Sequence, residues 1–207
     1  MIVINKGLDG FFHSLMPSKL RDTLSMNTHD YMRARALSAM LISITVIGVL
    51  ASIFIVTKHV FYNPDLLKHD IISLAIVLLF VVQTFFYYHF NNYWISALAF
   101  TNSYFLTIVV LLLLAGGFDS SIKILLLTCP LVSFVIGGMQ EGIQNAVFTI
   151  IAGLALTFFK YIGFDLVNHL SGENVYIDFA MHWTIAVLVI VACAIVYDSE
   201  VQTHGSK

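Results

Sequence analysis

Charged side chains are scarce in this chain, which has 207 residues of which 11% are Asp, Glu, Lys or Arg. Soluble domains carry about a quarter charged residues, whereas this sequence is 59% hydrophobic with a mean hydropathy of +0.90. Such a composition excludes a soluble enzyme and indicates a membrane protein. The basic residues are few and scattered and the net charge is -2, so the composition also argues against a nucleic-acid partner.

Cysteine, proline and arginine are also rare. Cys129 and Cys193 are the only cysteines, and both fall in apolar runs, so we expect free thiols packed as small hydrophobic groups. No arginine follows Arg35, which argues against a voltage sensor. The chain also lacks a phosphate-binding glycine loop, a zinc-protease helix and paired catalytic acids. We therefore expect no enzymatic activity and no cofactor.

Long apolar stretches dominate the rest of the sequence. A membrane-spanning helix needs about 20 apolar residues, and these segments are apolar on every face, which favours helices over a barrel. The sequence therefore predicts an all-α polytopic membrane protein, a six-transmembrane-helix bundle spanning residues 36–197. The predicted spans are 36–56, 71–88, 94–115, 122–136, 143–161 and 179–197. Pro130 lies at the centre of the short fourth span and predicts a kink there.

Basic residues near the span ends predict the orientation. Five of them precede the first span, so residues 1–35 and, with six spans, the tail at 198–207 are predicted to be cytoplasmic: Lys6, Lys19, Arg21, Arg33 and Arg35. No cleavable signal peptide is expected. The apolar residues of segment 8–16 have helical spacing and predict an amphipathic helix on the inner membrane surface. A further helix is expected to begin near Asn27 or Thr28 and to run into the first span, either coupling the cytoplasm to the bundle or only anchoring it.

Few polar side chains fall inside the predicted spans, and polar groups at that depth are costly and often functional. Gln83 and Asn102 lie at similar distances from Asn92, so they could face each other across the turn between spans two and three. Ser133 and Thr149 have the same relation about Glu141. These four residues either form interhelical hydrogen bonds or line the polar floor of a ligand pocket.

Other side chains invite functional and structural interpretations. His59, His69, His169 and His182 fall near the predicted non-cytoplasmic face, but their spacing favours interfacial histidines over a metal or haem site, for which His59, His69 and His182 would be the candidates. The aromatic run 85–94 predicts an interfacial belt. Small residues of span one permit a close helix approach within the bundle or in a dimer: Ala39, Ser43, Gly48 and Ser52.

One set of motifs resembles a known family. Residues 116–121 read Gly-Gly-Phe-Asp-Ser-Ser and are followed by Pro130, by Gly137 and Gly138, and by Gly142. This pattern resembles the six-span amino-terminal membrane domain of bacterial sensor histidine kinases, diguanylate cyclases and class III adenylate cyclases, and the entry into span one at 30–36 is similar. The resemblance covers nearly the whole chain, although Ser121 stands where that family has a proline.

The resemblance implies a sensory or anchor domain in the bacterial inner membrane whose cytoplasmic output domain follows span six. This sequence ends ten residues after Tyr197, so we expect either an excised sensory portion or an output module on a separate protein. The expected partners are the lipid bilayer, a second copy of the chain and a small lipophilic ligand. The alternatives are a small transporter or channel and a haem-bearing redox anchor.

Overall fold

The computed structural model describes residues 13–24, 29–62, 67–114, 117, 120, 122–164, 186, 189 and 190, and it describes only the backbone of residues 29, 51, 54–56, 58–62, 67–70 and 73. The described residues are helical, and no strand occurs among them. The helices are α1 (Ser18–Thr23), α2 (His29–Tyr62), α3 (Leu67–Phe90), α4 (Tyr93–Leu114), α5 (Lys123–Leu126), α6 (Thr128–Ile136) and α7 (Met139–Tyr161). The predicted all-α class is therefore confirmed for this part of the chain.

Three of the described helices are long and apolar enough to cross a membrane. The qualifying segments are Asp30–Leu50, Tyr93–Leu114 and Met139–Tyr161, with mean hydropathies of 1.6, 2.1 and 1.7. Shorter apolar stretches occupy Leu74–Phe90, which overlaps the predicted second span, and Lys123–Ile136, which lies inside the predicted fourth span. Apart from positions 186, 189 and 190, the predicted sixth span lies outside the described residues. The six-span bundle as a whole stays a prediction.

Two compact units divide the chain, residues 1–97 and 98–207. In the first unit α2 packs against α3, and Gly48 allows the approach, because a Cβ atom there would lie 3.0 Å from Val77 Cγ2. The small residue at position 48 thus serves packing within the chain. In the second unit α6 packs against α7, and a cluster of buried side chains from α4 to α7 surrounds Cys129. Each unit is a helical hairpin with additional helices.

Local sequence explains where the helices end. Asn91 has a φ of 52°, a left-handed conformation that Asn tolerates, and the Asn92 side chain accepts a hydrogen bond from the Ile95 N–H at 3.2 Å as α4 begins. Gly138 has a φ of 91°, so the turn between α6 and α7 lies at residues 137–138. Residues 139–142, which the sequence predicts to lie between spans four and five, instead form the first turn of α7.

An interruption of the helix at Leu127 lies close to Pro130, where the sequence predicts a kink. The helix breaks at Leu127, between α5 and α6, because Pro130 has no N–H to donate to the carbonyl of Leu126 and its ring crowds that carbonyl. The predicted continuous entry into span one is confirmed, since α2 runs unbroken from His29 through Asp30, Arg33 and Arg35. Its proposed caps, at 27 and 28, lie outside the described residues.

The segment before α2 packs on the first unit. Met16 and Leu20 are buried, the Tyr88 phenol donates to the carbonyl of Leu15, and His13 Nδ1 is hydrogen-bonded to the Tyr31 phenol. Protein contacts, and not only lipid, therefore cover the apolar side of this segment. The part of the predicted amphipathic helix before His13 lies outside the described residues.

Candidate functional site

The interior of the α6–α7 hairpin contains polar side chains, whereas its outside is apolar. The buried residues of α7 recur at helical spacing and are Gly142, Asn145, Thr149 and Leu156. Large apolar side chains are exposed on its other faces, among them Ile143, Val147, Ile150, Ile151, Leu154 and Phe158. This arrangement is the reverse of a soluble amphipathic helix and is typical of a helix that faces lipid outside and a bundle inside.

Helix α6 presents the matching surface. Its buried residues are Thr128, Cys129, Val132, Ser133 and Ile136. We use the name α6–α7 seam for Ser133 and Phe134 of α6 together with Gly142, Asn145 and Thr149 of α7. The polar members of the seam are deeply buried, since Ser133 and Asn145 are 1% exposed and Thr149 is 9% exposed.

Three polar atoms of the seam have no hydrogen-bond partner: Ser133 Oγ, Asn145 Oδ1 and Thr149 Oγ1. The Asn145 amide is nevertheless oriented, because its Nδ2 donates to the carbonyl of Glu141 at 3.3 Å. Buried polar groups in proteins are almost always hydrogen-bonded, and in a bilayer each unpartnered group costs several kcal/mol. A concentration of three such atoms in one hairpin marks it as the strongest candidate site among the described residues.

The register of the hairpin corrects the predicted pairing of Ser133 with Thr149. The turn lies at 137–138 and not at Glu141, so Ser133 is four residues before Gly137 while Thr149 is eleven residues after Gly138. The difference of seven residues places their Cα atoms about 10 Å apart in depth. Ser133 and Thr149 are both buried inside the hairpin, but they lie at different depths along it.

Asn145 is the seam residue that the sequence interpretation missed. It lies seven residues after Gly138, so its depth differs from that of Ser133 by three residues, or about 4.5 Å. It also precedes Thr149 by four residues and therefore shares its helix face. That spacing was readable in the sequence, but placing the turn at Glu141 put Asn145 at the start of the predicted fifth span, close to the membrane surface.

Close helix packing seals the seam near the turn. A Cβ atom at Gly142 would lie 2.3 Å from the nearest ring carbons of Phe134, so only glycine admits this ring. At the far end of α6, the Tyr104 phenol lies 2.8 Å from Thr128 Oγ1, and the Thr128 hydroxyl donates to the carbonyl of Leu125 at 2.6 Å. These hydroxyls are therefore satisfied, in contrast to those of the seam.

The other predicted polar pair spans the two units. Gln83 is half-buried in the first unit, and Asn102 lies in the second, where its Nδ2 donates to the carbonyl of Leu98 at 2.9 Å. Their predicted pairing stays a prediction. Polar contacts that join α2 and α3 include Ser38 with Tyr87, at 2.9 Å between their oxygens, and Thr45 with Thr84, at 3.0 Å.

The aromatic run at 85–94 is divided between outside and inside. Phe85, Phe86 and Trp94 are exposed, as expected for an interfacial belt. Tyr87 and Tyr93 are instead buried, and Tyr87 is 0% exposed. Helical spacing explains this difference, because residues 85 and 86 point to other faces of α3 than residue 87 does.

The predicted metal candidates receive no support from the described side chains. His59 and His69 lie in α2 and α3, where only their backbone is described, and His169 and His182 lie outside the described residues. Among the residues whose side chains are described, no three His, Cys, Asp or Glu side chains form a group that could hold a metal ion.

Comparison with known proteins finds no match, whether to family models, to curated proteins or to solved structures. The resemblance to six-span sensory domains therefore stays a prediction from sequence motifs.

Proposed function

We propose that this chain is a six-span sensory or anchor domain of a bacterial signal-transduction protein in the inner membrane. Both termini would be cytoplasmic, and the domain would pass the presence of a lipophilic ligand, or a membrane state, to a cytoplasmic output module. The exposed apolar side chains and the polar hairpin interiors support the membrane location. The chain itself would carry no catalytic activity.

One observation carries the signalling part of this proposal, namely that the segment before α2 is attached to the first hairpin. The Tyr88 phenol of α3 donates a hydrogen bond to the Leu15 carbonyl, and the Tyr31 phenol of α2 is hydrogen-bonded to His13. Helix α2 then continues unbroken from His29 into the predicted first span. A shift of α2 against α3 would therefore move the cytoplasmic segment directly, because rigid helices transmit displacement along their length.

A chimera tests this function. The chain is fused ahead of an adenylate cyclase catalytic domain, and cyclic AMP production is measured in bilayers of differing acyl-chain length and with medium-chain alcohols. We expect cyclic AMP output to change at least about twofold with one of these conditions, and we expect output to change also when the fusion is crosslinked as a dimer. Output that is indifferent to the bilayer, to the alcohols and to dimerisation would overturn the proposal.

A small transporter is the second candidate, because the broken helix at Leu127 is a feature that transporters use at their binding sites. Its discriminating measurement is solute flux into liposomes that contain the purified chain. Flux above that of empty liposomes would favour the transporter, whereas a receptor should not support it.

A further inference from the structure

The unpartnered hydroxyls of the α6–α7 seam differ from three other buried hydroxyls among the described residues. Ser38, Thr101 and Thr128 are at least as deeply buried as Thr149, and each donates to the carbonyl of the residue three or four positions earlier in the chain. That local bond is available to any helical Ser or Thr. Ser133 and Thr149 do not form it. Their hydroxyls thus remain available for a partner that is not their own backbone.

The hydrogen bond of the Asn145 amide determines which kind of hydrogen-bonding group is left unpartnered in the seam. Because the Glu141 carbonyl can only accept, the amide atom facing it must be the nitrogen, and Oδ1 is left as the unpartnered atom. An amide oxygen accepts hydrogen bonds and cannot donate them. The seam therefore presents one obligate acceptor together with two hydroxyls that can donate or accept.

We infer that the α6–α7 seam binds the polar head of a small amphipathic molecule, and that this head must donate a hydrogen bond, as an alcohol does. An alcohol donates to Asn145 Oδ1 and accepts from a seam hydroxyl. A ketone or ester satisfies only the hydroxyls, and a hydrocarbon satisfies none. The inference deepens the proposed function by naming the chemical class of its ligand, and it rests on that function only for the consequence of binding.

The same helices provide a route of entry. Helix α6 has nine residues and lies between the interruption at Leu127 and the turn at 137–138. The closest packing between the two helices is the Phe134 ring at Gly142. Displacing this ring opens the seam beside α7, whose exposed faces are apolar and suit the hydrocarbon tail of the ligand.

Photolabelling tests the inference on the full chain in phosphatidylcholine nanodiscs. The probe is a dodecanol analogue with a diazirine in its chain, and the label in peptides from α6 and α7 is quantified by mass spectrometry. We expect the labelling to saturate. We also expect unlabelled dodecanol to reduce it at concentrations about tenfold lower than those needed with 2-dodecanone or dodecane. Labelling that never saturates, or that the three competitors reduce equally, would overturn it.

Matched variants locate the contact. Asn145→Leu and Thr149→Val are expected to reduce saturable labelling about tenfold and about threefold, respectively. Thr157→Val is the control, because the Thr157 hydroxyl lies on the same helix, is exposed and donates to the carbonyl of Gly153 at 2.8 Å. This control should label like the parent protein. Equal labelling of all variants would overturn the inference.

The thermal stability of the Asn145→Leu variant shows whether Asn145 Oδ1 lacks a hydrogen-bond partner inside the protein. Without probe, Asn145→Leu is expected to raise the thermal midpoint, since it removes a buried unpartnered oxygen, and a lower midpoint would overturn the inference. The ligand inference and the proposed sensory function also fail separately. If the expected labelling pattern is absent but the cyclase chimera responds, only the inferred binding at the seam is refuted. If the labelling pattern is present but the chimera does not respond, only the sensory function is refuted.

Discussion

The phenol oxygen of Tyr87 lies 2.9 Å from the hydroxyl oxygen of Ser38, which joins α3 to α2 through a contact between residues 49 positions apart. The same phenol lies 3.1 Å from the carbonyl oxygen of Ala34, to which the Ser38 hydroxyl donates at 2.8 Å. Neither Tyr87 nor Ser38 is exposed. In an apolar interior these three oxygens form the polar connection between the helices of the first hairpin, close to the point where the segment before α2 is attached.

Removing the Tyr87 hydroxyl is therefore expected to loosen this hairpin. Tyr87→Phe should lower the free energy of unfolding by about 1 to 2 kcal/mol, because one buried donor is lost while the ring volume stays the same. Unfolding by dodecyl sulfate in mixed micelles measures the change. Tyr161→Phe is the control, since Tyr161 is 87% exposed, and an equal effect of both substitutions would contradict the prediction.

Hydropathy predicted which parts of the chain are helical, and it could not predict which faces pack. A span that is apolar all round, such as α4 or the membrane part of α2, has no periodic signal that selects the buried side. Tyr87 illustrates the problem, because it belongs to a run of aromatic residues that the sequence assigns to the membrane interface. Its burial depends on Ser38 lying opposite, and no local pattern records that relation.

The position of the turn between α6 and α7 also could not be predicted from the sequence. Ser133 and Thr149 were predicted and are buried in one hairpin, but their relative depth was wrong because the turn was placed about three residues too late. Gly138 was visible in the sequence, yet several glycines compete for the turn at 137–142, and only the positive φ of Gly138 decides between them. Because the turn was misplaced by about three residues, Asn145 was not recognised as a candidate site residue.

Two adjacent leucines at the helix break test the assignment of inside and outside. Leu126 is buried in the cluster around Cys129, whereas Leu127 is 67% exposed. Leu126→Ala is expected to cost about 1 to 3 kcal/mol through lost packing, and Leu127→Ala less than about 0.5 kcal/mol, because lipid replaces its contacts. Unfolding in mixed micelles measures both. Similar costs at the two positions would contradict the packing of α5 and α6.

Two glycines of α7 form a second matched pair. Gly142→Ala places a methyl group against the Phe134 ring and should destabilise the protein by about 1 to 3 kcal/mol. Gly153→Ala has open space and should be neutral or stabilise by up to about 1 kcal/mol, because alanine favours the helix. Thermal unfolding in nanodiscs compares them. Phe134→Leu should relieve most of the cost of Gly142→Ala, and a cost that persists in this double variant would show that the ring is not the obstacle.

The predicted orientation places the two ends of α7 on opposite sides of the membrane, with Met139 cytoplasmic and Phe164, just beyond the helix, outside. Both side chains are exposed, at 74% and 57%, so a cysteine at either position should be open to reagents. In a background with Cys129 and Cys193 replaced by serine, a membrane-impermeant maleimide added to intact spheroplasts should label Phe164→Cys, and should label Met139→Cys only after lysis. The physical reason is the positive-inside rule, since five basic residues precede the first span. Labelling of Met139→Cys in intact spheroplasts would invert the topology and move the segment before α2 out of reach of a cytoplasmic output module.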